Sequence, residues 1–171
     1  HTKVKHKQAK KHHYNPYNAR VMNIMFFITP KKDVISVSDK DNIKTVLRTL
    51  NEHKFSSVPI INAEGNYLGT IKEGDILWYL YQKSSFNERL IETTNIMDVP
   101  RRSTNVTAKV DANVEDLLHI LISQNFVPAI DDSNIFIGII KRRDVISYAY
   151  DKIKSDEGYM ADFFHAKKLS R

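Results

Sequence analysis

Two short clusters, 69 positions apart, carry side chains that can hold phosphate and sugar: Lys72-Glu73-Gly74-Asp75 and Lys141-Arg142-Arg143-Asp144. Phosphate is held by cationic or N–H donors, and best by a planar guanidinium that bonds two oxygens at once. Each cluster opens an apolar stretch that reads as a helix. A helix N-terminus adds partial positive charge of its own. Adjacent cations at such a place repel one another and the helix dipole unless an anion joins them. Lys141, Arg142 and Arg143 are therefore expected to meet phosphate, and Asp144 to accept hydrogen bonds from a ribose diol. Lys72-Glu73-Gly74 offers one cation and one repelling carboxylate, so the two clusters are not equal. The plainer alternative for the arginine pair is a solvated helix start.

Other candidates carry less. His53 and His119 lie in apolar helical stretches without companion ligands, so no metal site is expected. Glu115 and Asp116 read as first-turn helix charge. Tyr79, Tyr81, Tyr148 and Tyr150 read as packing or dimer contacts. No nucleophile elbow, Walker loop or glycine-rich dinucleotide fingerprint occurs, which argues against an enzyme and against a bound cofactor. The chain has no cysteine, which excludes disulfides and thiolate metal sites and fits a cytoplasmic setting. No apolar run approaches a membrane span, and no signal-peptide core is present.

The chain has 171 residues, 42% of them hydrophobic, and a net charge of +6. Five of those charges are Lys3, Lys5, Lys7, Lys10 and Lys11. Together with His1, His6, His12 and His13 they make a basic tail, which reads as solvated or as an appended remnant. The sequence opens on His1 where a start would have Met, which fits processing or such a remnant. A nucleic-acid-binding regulator using this tail is the alternative function, disfavoured because no helix-turn-helix or zinc module accompanies it.

An internal repeat organises the rest. Pro59, Gly69, Lys72 and Asp75 match Pro128, Gly138, Lys141 and Asp144 at a spacing of 69. Ile43, Val46, Leu47 and Leu50 match Val114, Leu117, Leu118 and Leu121 at 71, and Ile24-Met25 matches Ile96-Met97 at 72. Val34–Val37 reads as a strand. Asp41 reads as an N-cap, followed by an apolar i, i+3, i+4, i+7 helix. Val58–Ile61 and Leu68–Ile71 read as strands joined by a turn over 62–66. A second helix is expected from Asp75 through Trp78 and Tyr81. The expected architecture is α/β (α+β): two β-α-β-β-α repeats packed about a pseudo-twofold axis, since one unit alone leaves a helix face exposed. Expected boundaries are a basic His-rich tail over 1–18, a first repeat with linker helix over 19–92, a second repeat over 93–150 and a helical tail over 151–171.

Val58-Pro59-Ile60-Ile61 with Gly69-Thr70-Ile71-Lys72-Glu73-Gly74-Asp75-Ile76 resembles the motif of the CBS-domain family, and so does its counterpart from Val127 through Val145. The resemblance covers residues 19–150. Val99-Pro100-Arg101, the shortened Asn125-Phe126-Val127 and Arg142-Arg143 resemble stand-alone CBS pairs of Gram-positive bacteria that bind cyclic di-AMP. The family's usual Ser/Thr is replaced by Lys72 and Lys141, and Asp144 is closer to the pattern of AMP, ADP or ATP binders. The resemblance implies a regulatory adenine-nucleotide sensor that is not an enzyme, a homodimer, and signalling by conformational change or through a regulated protein partner. It also implies two clefts, each taking its base contacts from one repeat and its Asp-bearing motif from the other. One is lined by Val34, Ile35, Ser36, Phe55, Ser56, Ser57, Val58 and Pro59 and closed by Lys141, Arg142, Arg143 and Asp144. The other is lined by Val106, Thr107, Phe126, Val127 and Pro128 and closed by Lys72 and Asp75. The first is expected to bind nucleotide better: it has the arginine pair, and Phe55-Ser56-Ser57 keeps two residues that the second repeat has lost.

Overall fold

The computed structural model describes residues 24–155. The basic tail and everything after residue 155 lie outside the described residues. In the first half, β2 (Val37–Ser38), α1 (Ile43–His53), β3 (Ser57–Ile61), β4 (Tyr67–Lys72) and α2 (Glu73–Gln82) follow one another. A short α3 (Glu88–Thr93) leads to their counterparts: β5 (Ala108–Lys109), α4 (Val114–Leu121), β6 (Phe126–Ile130), β7 (Phe136–Lys141) and α5 (Arg142–Ser155). Ahead of both stands β1 (Ile28–Pro30). The two repeats expected from sequence are present, each with a sheet and two flanking helices.

The sheets have the orders β2-β3-β4 and β1-β7-β6-β5. In each, the hairpin strands are antiparallel and the short strand pairs parallel on the outside, Val37 opposite Ile60 and Ala108 opposite Ala129. β1 does not join its own repeat. It pairs antiparallel with β7, Ile28 opposite Ile140 and Pro30 opposite Gly138. A β-carbon on Gly138 would overlap the Thr29 carbonyl oxygen and lie 2.9 Å from Ile28 Cγ2. Glycine is required there by the closeness of the crossing strand.

The cores show the same exchange. Ile24 and Phe27 are buried among Leu117, Val127 and Ile140 of the second repeat. Ile96 and Val99, which stand 72 positions later, are buried among Ile43, Ile60 and Ile76 of the first. Each repeat thus lends its leading segment to the other, and residues 28–30 sit in the sheet of the second unit. Between the sheets a third cluster joins Ile61 and Tyr67 to Phe126, Phe136 and Ile139. The hairpin tips also bond across the pseudo-twofold axis, Phe136 N to Gly65 O at 2.9 Å and Tyr67 N to Asn134 O at 3.3 Å.

Three local expectations are corrected. Only Val37 of the stretch Val34–Val37 is in a strand, because the preceding residues carry the chain from the edge of one sheet to the edge of the other. The N-cap of α1 is Asn42, whose side chain accepts from Thr45 N at 2.9 Å, while Asp41 accepts from Ser38 N at 2.8 Å in the turn before it. α2 begins at Glu73, so that Asp75 sits inside the first turn and reaches back to Lys72 N at 3.0 Å.

Candidate functional site

Ile35 and Ser36 lead directly into β2, which pairs Val37 with Ile60, and Val106 and Thr107 lead in the same way into β5, which pairs Ala108 with Ala129. The start of each second helix is tied to the residue just before the first hairpin strand of its repeat, β3 or β6. Glu73 N donates to Ser56 O at 3.0 Å and Arg142 N to Asn125 O at 2.9 Å. Asn125 Nδ2 then reaches Ser56 Oγ at 3.4 Å across the axis, which brings Ser56 next to the start of α5.

Not every expected lining residue offers its side chain. Val58 and Val127 point into the cores of their own repeats, Phe126 is buried between the sheets, and Pro59 and Pro128 are buried. Val34 packs half-buried against the inter-sheet cluster. Ile35, Ser36, Phe55 and Ser56 are exposed, and Phe55 stacks on His53 at 5.5 Å. The first-cleft residues line separate concavities. Ser36 shares one of about 570 Å³ with Lys31 and Gly65, whereas Arg142 and Arg143 share one of about 630 Å³ with Asn125 and Tyr150.

The arginine pair divides. Arg142 Nε donates to Leu121 O at 2.8 Å and to Gln124 O at 3.0 Å. Leu121 is the last residue of α4, where backbone acceptors have no helical partner, and Gln124 lies in the turn that follows. Arg142 is thus half-buried and holds its own repeat together. Arg143 is exposed and has no hydrogen bond or ion pair among the described residues.

The two aspartates differ most. Asp75 is 3% exposed. Its Oδ2 accepts from Lys72 N at 3.0 Å and its Oδ1 from Arg102 N at 3.0 Å. Asp144 is exposed and accepts no hydrogen bond among the described residues. In the repeat, Pro30 stands at the position of Arg102, 72 earlier, and proline has no N–H to give. The cations follow suit. Lys72 Nζ bonds Ser103 Oγ at 2.7 Å, while Lys141 is exposed.

The base side shows the same contrast. Gln124, buried, donates to Val106 O at 3.0 Å and accepts from Val106 N at 2.6 Å. Both backbone groups of Val106 are therefore occupied. Phe55 stands at the Gln124 position of the first repeat, 69 earlier, and has no amide to do this for Ile35, the counterpart of Val106. The two residues that the second repeat lacks therefore fall at the end of α1 and not within Phe55-Ser56-Ser57, where they were expected. Arg102, Ser103 and Gln124 are the residues that sequence reasoning missed, and Arg101 entered it only through the resemblance. The spacing of 72 would have set Arg101 to Ser103 against the first repeat's own Thr29 to Lys31 and so pointed to them.

A sequence model described as the CBS domain matches residues 24–82 and 96–151. The chain belongs to the CBS-domain family. As a CBS pair it is similar to solved stand-alone pairs. A complex of CbpB with c-di-AMP is 26% identical, with a TM-score of 0.71 over 82% of this chain and 91% of that one. A complex of CBSX2 with AMP shares the fold at 22% identity, with a TM-score of 0.62 over 75% of this chain and 96% of that one. An uncharacterized protein of Methanocaldococcus jannaschii is 26% identical over 142 residues, which is 76% of this CBS pair and 50% of that relative. The chain therefore spans about half the length of this curated relative.

Among the described residues no group of three or more His, Asp or Glu could hold a metal ion, and no helix is long and apolar enough to cross a membrane.

Proposed function

We propose that this CBS pair is a non-catalytic regulatory module that binds an adenine nucleotide, AMP, ADP, ATP or cyclic di-AMP, in its first cleft. The observation that carries the reading is the contrast between the aspartates. Asp144 is an exposed carboxylate that accepts no hydrogen bond among the described residues and so is free to serve a ribose diol, while Asp75 is already bonded by the chain itself. Lys141 and Arg143 supply the phosphate contacts, and Ile35, Ser36, Ser56 and Ser57 supply the wall for the base. Arg142 supports them by holding the end of α4 against the start of α5. The AMP and c-di-AMP complexes of similar CBS pairs support this ligand class.

Occupancy is transmitted by changing how the repeats meet at Ser56–Asn125 and at the hairpin tips. A second copy covers the exposed apolar side chains of α2 and α5, Leu77, Trp78, Ile146 and Tyr150, to form a homodimer whose altered outline is read by a regulated protein. Titration calorimetry with AMP, ADP, ATP, cyclic di-AMP and adenosine tests the reading, with a chain lacking residues 1–13 as control. One phosphate-bearing nucleotide per chain is expected, with affinity unchanged by the truncation. Two equal sites, or no binding by any of the five, would overturn it. Sedimentation of Ile146→Asp, expected to yield monomer, tests the dimer.

A further inference from the structure

In the first repeat α3 serves as a cover for α1. Leu90 and Ile91 pack against the first core together with half-buried Leu47. Lys44 Nζ bonds Glu88 Oε1 at 3.1 Å and also reaches Glu92. The end of α3 closes on the start of α1: Asn42 Nδ2 donates to Glu92 O at 2.9 Å and Ile43 N to Thr94 O at 3.1 Å. Asn87 caps α3, its Oδ1 accepting from Leu90 N at 2.8 Å.

The counterpart of α1 is α4, and nothing among the described residues covers it in this way. Glu115 stands at the place of Lys44 and Leu118 at that of Leu47, 71 later, and both are exposed. Glu115 forms no ion pair among the described residues, and neither Asn113 Nδ2 nor Val114 N finds an acceptor there. Glu115, Leu118, His119 and Ile122 line, with Ile146 of α5, a groove of about 880 Å³.

The sequence holds a second version of α3. At the spacing of 72 that relates Ile24-Met25 to Ile96-Met97, Asn15 matches the cap Asn87 and Asn23 matches Asn95. Pro16 then falls on the first helical position, where proline is favoured. Arg20 falls on Glu92. The pair Lys44–Glu92 of one repeat thus becomes Glu115–Arg20 in the other, with both charges reversed and their attraction kept. Residues 15–22 lie outside the described residues. Ile24, just after them, is buried among Leu117 and Leu121 of α4, so the segment starts within reach of that helix.

We propose that residues 15–22 dock as a short helix along α4, with Arg20 paired to Glu115, and strap the second repeat as α3 straps the first. Ala19 takes the place of Ile91 and Met22 that of buried Thr94, whereas Asn18 takes the place of Leu90. This strap has less apolar grip than α3 and holds more loosely. It lies on the α4 side of the groove and leaves Ile146 of α5 to the second copy. The inference is independent of nucleotide binding.

Hydrogen–deuterium exchange of the full chain, read by mass spectrometry, tests the strap. So short a helix does not persist in water on its own, and its amides therefore report docking. Protection over residues 15–22 is expected to exceed that over 1–13 and to fall below that of α3. Arg20→Glu and Glu115→Lys should each lower it about threefold or more, and the two together should restore it. Protection of α1 should stay constant throughout. Exchange over 15–22 as fast as over 1–13 would overturn the strap. So would protection indifferent to both reversals, or a double variant no better than the single ones. Protection that grows with protein concentration would show a second copy in the groove instead.

Discussion

At the scale of single residues, the neighbouring arginines of α5 should behave as opposites. Arg142→Ala removes two charge-assisted bonds, to the last carbonyl of α4 and to one in the turn after it, and should destabilise the fold by about 1–3 kcal/mol in urea denaturation. Arg143→Ala removes an exposed side chain with no hydrogen bond or ion pair among the described residues, and should change stability by less than about 0.5 kcal/mol while weakening phosphate-bearing nucleotides about tenfold or more in calorimetry. Equal stability of the two variants would refute the division. The aspartates give a matching pair. Asp75→Asn disturbs a buried carboxylate bonded by two backbone N–H groups and should lower stability by about 1–3 kcal/mol. Asp144→Asn should leave the melting temperature near that of the parent and lower nucleotide affinity. Adjacency in sequence could not separate Arg142 from Arg143. Only the packing of α4 against the start of α5 shows which guanidinium meets backbone carbonyls.

At the scale of elements, one substitution made at two glycines should have effects of opposite sign. Gly138→Ala drives a methyl group into the Thr29 carbonyl and should separate β1 from β7, at a loss of about 1–3 kcal/mol or more. Gly74→Ala lies in the first turn of α2 with nothing within 4 Å of the added carbon, and should gain about 0.4–1 kcal/mol. Thermal melts of both variants check this. The elements themselves were largely legible. The 3.6-residue spacing of Ile43, Val46 and Leu50 located α1, and the Pro59 and Gly69 motifs located the β3–β4 hairpin. The misses share a cause. Asn42 and Asp41 are both good caps, and the choice between them depends on where Ser38 turns. The strand expected at Val34–Val37 shrinks because its neighbours belong to different sheets.

At the scale of the whole molecule, the sequence repeat and the spatial repeat are not the same unit. The offsets of 69, 71 and 72 locate two copies, but no local pattern states which sheet a three-residue strand such as Ile28–Pro30 will join. Because Ile24 and Phe27 complete one core and Ile96 and Val99 the other, neither half has a complete core of its own. The pair should unfold in one cooperative step, with Trp78 fluorescence and far-ultraviolet circular dichroism tracing the same urea transition. Two separated transitions would show that the halves are independent.

The exchange of leading segments gives the chain the character of a domain-swapped dimer whose two protomers have been fused end to end. What then holds the halves together is mutual embrace more than covalent continuity. The peptide link between α2 and α3, residues 83–87, mostly exposed and with Ser84 at φ 50, is the natural place to sever it. A protease cut there should leave two fragments that travel as one species in gel filtration and part only when denatured.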